Sequence, residues 1–324
     1  MAAQGVVSST HGGPDAAGVP RWDFSTNANA CGPAPGVLRA VQQADVTSYP
    51  DPNYAALRDE LAAFHTVSAD RIVIAASASE FIFRMTAGVA RLWPEASVHA
   101  PQPGYADYGR AAQAFGLRQV NMAGDALLSW HTEPGSPDGI SRRPPTTRQG
   151  AVQVVDGAYL PLRLDGGNTV LPSHAWQLMS PNKALGLTGL RGAYAIAPPE
   201  SEALRATLDA LAPSWPVGAQ GVAMLSSWVT GETQAWFADC LPVLRGWKHE
   251  QLAMCAELGW VCLDSVTPFY LMQWPDTLQL TRLRALGVKL RDTSTMGLPG
   301  HVRLSVRPPQ AQQALRDAWR EVSA

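Results

Sequence analysis

The chain has 324 residues, 46% of them hydrophobic and 16% charged, with a formal net charge of −2. This is enough apolar material for a sizeable core, in one large domain with a smaller one or in two of similar size, and it excludes a disordered chain. The near-neutral balance, with no long basic block, excludes a nucleic-acid binder that works by neutralising phosphates, and no apolar run reaches the roughly 20 residues that span a bilayer.

Residues 1–35, beginning "MAAQGVVSSTHGG", are rich in Gly, Pro and Asn and read as an arm lying on a surface. They lack the basic start and apolar centre of a signal peptide, so a cytoplasmic protein is expected. "APGVLRAVQQA" predicts a helix, broken by the turn-forming "SYPDPNY", and "YAALRDELAAFHTV" predicts another. "RIVIAAS" is a short continuous apolar run, the signature of a buried strand, and "SASEFIFRMTAGVARLW" follows it as a helix opened by small and hydroxyl residues. "ASVHAPQPGYADYGRAAQAFG" repeats the sequence strand, turn, helix, and "AVQVVDGAY" is a further strand ending in an acid. "HAWQLMSPNKALGLTGLRGAYAIAP" holds a turn followed by a strand. This alternation predicts an α/β fold with a mainly parallel sheet between helices and a site at the carboxyl ends of its strands. From about 199 to 255 the pattern is helical. Then the short strands "PFYLMQW" and "HVRLSVRP" and the helix "AQQALRDAWREV" predict a smaller α+β unit. The expected organisation is an arm (1–35), a large domain (36–240) and a small domain (241–324) that packs with the arm. The cysteines at 31, 240, 255 and 262 are too scattered for a zinc site or a disulfide framework and read as free thiols.

The chemistry concentrates in "SPNKALGLTGLRGAY", residues 180–194, and in the acid of "VVDGAY". Lys183 stands in a turn between small residues with Arg191 eight positions on, Ser180 precedes it, and Asp156 is followed by Tyr159. An isolated lysine in a loop is a solvated cation, and an isolated strand-end aspartate is a cap or turn residue. Together they match the demands of pyridoxal phosphate: an amine for its aldehyde, an acid for its ring nitrogen, a phenol near its hydroxyl, and donors at its phosphate.

"SPNKALGLTGLRGAY" is similar to the S-x-x-K…GLR signature of the fold-type I, class I/II aminotransferases that depend on pyridoxal phosphate. The chain most resembles the branch containing histidinol-phosphate aminotransferase and threonine-phosphate decarboxylase. The resemblance implies that Lys183 bonds the cofactor aldehyde, Asp156 pairs with the ring nitrogen, Tyr159 bonds the ring hydroxyl, and Ser180 and Arg191 hold the phosphate. By the same resemblance "AASASEFIF" is the small-residue loop whose Ser77, Ala78 and Ser79 N–H groups meet the phosphate, helped by the helix dipole. In "PQPGYADYG", Tyr108 is implied to stack on the pyridine face, with Tyr105 read as core. "SYPDPNY" resembles the family's R-Y-P-D-P stretch, so Tyr49 is implied to reach the cofactor phosphate of a neighbouring subunit, making a homodimer with shared sites. The family's N-P-x-N-P-T-G loop survives only as "EPGSPDG", with Ser136 in place of the asparagine, and the stretch from Gly139 to Asp156 is too short for the helix that usually stands there.

On the substrate side, Arg303 in "HVRLSVRP" is implied to grip a carboxylate or phosphate with its planar guanidinium. His11, Asn27 and Arg291, with Arg307 of "VRPP", resemble the decarboxylase branch, where matching positions contact a phosphorylated substrate. The leading expectation is an aminotransferase acting on a small phosphorylated amino acid or amino alcohol. Threonine-phosphate decarboxylation is the alternative, followed by a pyridoxal-phosphate-binding protein without turnover.

Overall fold

The computed structural model describes residues 11–167, 169–273 and 280–323; residues 1–10 of the expected arm and Trp274 of "PFYLMQW" lie outside the described residues. In chain order the elements are β1 (Trp22–Asp23), α1 (Pro35–Gln43), α2 (Ala55–His65), β2 (Ile72–Ala75), α3 (Ala78–Leu92), β3 (Ser97–His99), α4 (Ala106–Ala114), β4 (Arg118–Val120), β5 (Leu128–Thr132) and β6 (Val152–Asp156). They continue with β7 (Trp176–Met179), β8 (Ala193–Ile196), α5 (Glu202–Leu211), α6 (Ala219–Trp228), α7 (Gly231–Glu257), β9 (Phe269–Gln273), α8 (Leu280–Ala285), β10 (Val288–Lys289), β11 (Arg291–Asp292), β12 (His301–Ser305) and α9 (Pro309–Ser323).

Seven strands form the main sheet in the order β2-β8-β7-β6-β5-β3-β4. All run parallel except β8, which is antiparallel to both neighbours. The strands carry side chains to alternate faces, and the two faces feed separate cores. Ile72, Ile74, Val155, Tyr194 and Ile196 join a cluster with α1, α2, α6 and α7, while Val73, Ala75, Val154, Leu178 and Ala195 join one with α3, α4 and α5. Burial on both faces is why these segments read as continuous apolar runs rather than alternating ones.

Helix α3 starts at Ser77, whose hydroxyl accepts from the Glu80 N–H at 3.1 Å, while the Glu80 carboxylate accepts from Ala76 N at 3.0 Å. This reciprocal cap ends β2 sharply and aims the first turn of α3 at the sheet's carboxyl edge. At the same edge Gly221 of α6 lies against the backbone before β8: a Cβ there would stand 2.4 Å from the Arg191 carbonyl oxygen.

The second sheet, β11-β12-β9, is antiparallel and packs with α7 and α9 around a third core. The arm is tied to this part of the molecule, because β1 pairs in parallel with β10. Neither β1 nor β11 is evident in the sequence; both are two residues long, too short for any periodicity. Between β5 and β6 the described chain carries no helix, as the shortened stretch implied.

Candidate active site

The carboxyl edge of the main sheet gathers the polar side chains. Asp156 ends β6, Thr132 ends β5, Ser77–Ser79 follow β2, Tyr105 and Tyr108 follow β3, and Ser180–Lys183 follow β7. Because β8 runs antiparallel, Arg191 before its start reaches the same edge. One cleft is lined by Lys183, Asp156, Tyr159, Ser180 and Arg191, and by Ser77, Ala78, Ser79, Tyr108 and Ser136. Thr132, Asn182 and Tyr105 line it as well, and the sequence reading gave none of these three a role.

Asp156 is buried, and its carboxylate accepts from the Tyr108 hydroxyl at 2.8 Å and from Ala158 N at 2.9 Å. Among the described residues no lysine or arginine closes an ion pair on it. Burial therefore pushes its carboxyl above the ordinary aspartate range, against the pull of the Lys183 charge and of these hydrogen bonds. A buried acid poised without a cation fits a ligand that brings its own, such as a protonated ring nitrogen.

Lys183 points its amine to Ser180 Oγ at 3.5 Å, with Nζ 5.4 Å from the centroid of the Tyr159 ring. Its backbone is fixed from the arm, since the Lys183 carbonyl accepts from Asn29 N at 2.9 Å and the Asn29 amide donates to the Ala184 carbonyl at 2.9 Å. Three residues on, Gly186 has φ +70° and rests on the Gly32 carbonyl, which a Cβ would approach to 2.5 Å. The lysine loop and the arm thus fit each other backbone to backbone.

The Ala78 and Ser79 N–H groups, in the first turn of the 15-residue α3, have no intrahelical acceptor and form an anion seat. The Ser79 hydroxyl is not part of that seat: it donates to Asp107 Oδ2 at 2.7 Å and bonds the Tyr105 hydroxyl at 2.8 Å.

Tyr108 lines the cleft but is fully buried, stacked on Trp130 with centroids 4.9 Å apart, and its hydroxyl bonds Asp156 and Thr132. Tyr105, three residues earlier and read as core, is a partly buried aromatic at the cleft wall.

The loop carrying Ser136 is held by a buried charge. The wholly buried Glu133 accepts from Arg163 Nη1 at 2.8 Å, from Ser141 Oγ at 2.6 Å and from Arg142 N at 2.8 Å, and its own N–H donates to the Asp156 carbonyl at 3.0 Å. These contacts hold the loop between β5 and β6.

Arg303, Arg291, Asn27, His11 and Tyr49 do not line this cleft. Arg303 and Asn27 join it through one neighbour each. The Asn27 amide reaches the Tyr159 hydroxyl at 3.5 Å, and its buried Oδ1 has no hydrogen-bond partner. Arg303 donates to the Ser25 carbonyl at 3.0 Å and lies 5.7 Å from the centroid of Phe269, whose ring meets Tyr159 edge-on at 4.7 Å. Burial lowers the Arg303 guanidinium to about 10. Arg291 faces Arg303 directly across β11 and β12, and burial lowers it too. Arg307 donates to the Thr26 carbonyl at 2.7 Å. His11 is exposed beside Gly12 at the start of the described chain. Tyr49 is 77% exposed and stacks on Trp215 with centroids 4.3 Å apart.

The fold is that of a fold-type I protein. The model of the aminotransferase class I and II family matches residues 176–318. The chain is 25% identical over 321 residues to a histidinol-phosphate aminotransferase of Jannaschia sp. (strain CCS1), covering 89% of this chain and 87% of the relative. Among solved structures it is similar to histidinol-phosphate aminotransferase from Sinorhizobium meliloti in complex with pyridoxal-5'-phosphate, with a TM-score of 0.75, 22% identity, and coverage of 92% of this chain and 89% of that one. It is also similar to L-threonine-O-3-phosphate decarboxylase from Porphyromonas gingivalis, with a TM-score of 0.76, 19% identity, and coverage of 92% and 98%.

Proposed function

We propose that the protein is a pyridoxal-phosphate-dependent aminotransferase acting on a small phosphorylated amino acid or amino alcohol, of the histidinol-phosphate type. The observation that carries this reading is the buried Asp156, without an ion-pair partner among the described residues, in one cleft with Lys183. When bound, the cofactor supplies an aldehyde that condenses with amines and a ring that draws an electron pair from the substrate's Cα.

The chain's own residues divide the remaining work. The Asp156 carboxylate would accept from the ring N–H and keep that nitrogen protonated. Tyr159 would bond the ring hydroxyl, and Ser136 lines the wall where a longer amide would otherwise reach. The Ala78 and Ser79 N–H groups, Ser180 and Arg191 would donate to the phosphate, with Ser77 holding the turn. Tyr105 would flank the ring. Lys183 would hold the aldehyde carbon and act as general base for the proton at the substrate's Cα.

Arg303 and Arg291 bind the substrate's anionic group. Two like charges placed directly opposite on a sheet repel, and their burial adds a desolvation cost, so an anion between them relieves both. Asn27, with its unpaired buried oxygen, adds a polar contact, and His11 lies on the same side through Gly12. This arm contribution favours the second reading, decarboxylation of threonine phosphate, over a binder without turnover. We further infer a homodimer in which Tyr49, exposed and removed from its own cleft, completes the partner's phosphate seat.

A donor screen tests the reading. Adding L-histidinol phosphate to the holoenzyme should shift its visible absorbance to that of the amine form of the cofactor. CO₂ release from threonine phosphate without that shift assigns the second reading, and neither response overturns both. Tyr49→Phe should weaken cofactor retention without unfolding the chain; unchanged retention contradicts the shared seat.

A further inference from the structure

We propose that Asp15, through a clamp on Arg284 and Lys289, is a positioning residue for substrate binding: it holds the arm against the segment that orients Arg303 and Arg307. The proposal rests on the reading of Arg303 as the substrate's anion-binding residue.

The clamp joins the arm to the smaller sheet's surroundings. Arg284 at the end of α8 grips the Asp15 carboxylate with both faces of its fork, Nε to Oδ2 at 3.0 Å and Nη2 to Oδ1 at 2.8 Å, and Nη2 also donates to the Gly18 carbonyl at 2.8 Å. Lys289 of β10 adds Nζ to Asp15 Oδ2 at 3.0 Å and donates to the Gly13 carbonyl at 2.5 Å. Asp15 and Gly18 close the turn on themselves, each N–H donating to the other's carbonyl. Two cations thus fix the stretch of arm from Gly13 to Gly18 at three carbonyl and carboxylate positions. The bidentate guanidinium gives that grip a direction as well as an attraction.

The clamped stretch presses on the residues under the guanidinium groups. Gly13 N donates to Ser25 Oγ at 2.8 Å, and Gly12 lies so close that a Cβ would stand 2.3 Å from the Ser25 carbonyl oxygen. That same oxygen accepts from Arg303 Nη2, and the next carbonyl, of Thr26, accepts from Arg307 Nη2. Both arginines leave a buried Nε without a partner. The contacts therefore run in one line from Asp15 through Gly12 and Gly13 to Ser25, and from Ser25 to Arg303. None of the clamp residues lines the cofactor cleft. A loosened clamp should consequently change how tightly the substrate's anion is met and leave the proton transfer at Lys183 alone.

The test uses full-length holoenzyme and the single-turnover half-reaction with L-histidinol phosphate and with O-phospho-L-threonine, reading half-saturation and limiting rate separately. Asp15→Asn and Arg284→Gln should each raise half-saturation about three- to fivefold, in line with a partly exposed ion pair, and keep the limiting rate. Asp15→Glu, which retains the carboxylate, should recover most of the loss. The gap between wild type and Asp15→Asn should close in about 1 M salt, where charges are screened beyond about 3 Å. Arg303→Gln serves as the reference. If it raises half-saturation and both clamp variants match wild type, the clamp has no positioning role. A lowered limiting rate at unchanged half-saturation also overturns it. If Arg303→Gln itself has no effect, the anion-site reading falls first and the clamp with it.

Discussion

The Tyr108 hydroxyl donates to Asp156 Oδ2 across 2.8 Å, linking the first turn of α4 to the end of β6. With the ring held against Trp130, this bond fixes the carboxylate's orientation rather than merely filling space. Tyr108→Phe keeps the ring and removes the donor. It should cost about 1–2 kcal/mol of stability and lower the half-reaction rate about tenfold with cofactor still bound. Urea unfolding and stopped-flow absorbance check the two effects separately.

Asp156 itself should act against the stability of the cofactor-free protein. Its pKa is raised on folding, so the fold penalises the charged form. The penalty is absent at low pH, where both states are protonated. It sets in as pH rises above the unfolded value near 3.9 and is complete above the folded value. Asp156→Asn in the cofactor-free state should therefore unfold at higher urea than wild type at pH 8, with the advantage shrinking toward pH 4. The same variant should lose cofactor affinity. An advantage that grows on acidification contradicts this.

The Glu133–Arg163 pair holds the loop between β5 and β6 from inside. Replacing Arg163 by Met strands a buried carboxylate and should cost about 3–5 kcal/mol, whereas replacing both partners with neutral residues should cost much less. A double-mutant cycle by denaturant unfolding measures the difference. The loop's Ser136 should lose its ordered position in the single variant, visible as increased proteolysis between Gly135 and Arg142.

His65 gives the acid side its slope. Burial lowers its pKa to about 4, with Nε2 2.8 Å from the Tyr194 hydroxyl. A base depressed on folding contributes stability above its unfolded value near 6.5, and that contribution is lost as pH falls toward 4. His65→Gln should flatten the loss of stability between pH 6.5 and pH 4 by about 1–3 kcal/mol. Thermal unfolding across that range checks it.

Gly186 sets how closely the lysine loop and the arm meet. Gly186→Ala adds a Cβ at positive φ and within 2.5 Å of the Gly32 carbonyl, backbone against backbone. It should destabilise by roughly 1–3 kcal/mol and reduce cofactor retention, since relief requires moving the segment that starts at Lys183.

Strands β2 and β6 were legible because burial on both faces leaves continuous apolar runs, as in "RIVIAAS" and "AVQVVD", whereas β4, β5 and β7, short or carrying polar residues, were not read. Asp156 was legible because it ends such a strand, and Lys183 through its spacing from Ser180 and Arg191. The two tyrosines of "GYADYG" could not be told apart from the sequence because residues three apart on a helical turn share one side, and spacing does not tell which of them points inward. Residue 105 precedes the helix and stays at the cleft wall, while residue 108 is carried under it by the first turn. The arm's contacts were illegible for a different reason. Asp15 lies more than 260 residues from both Arg284 and Lys289, and nothing local marks an ion pair of that span.

Borohydride reduction of the coloured holoenzyme, followed by peptide mapping, tests the central claim most directly. The cofactor's mass should be fixed to the Lys183 side chain, and Lys183→Ala should remain unlabelled. A colourless protein that takes up no pyridoxal phosphate, or label on a different lysine, would contradict the assignment of Lys183 and Asp156 to one cofactor site.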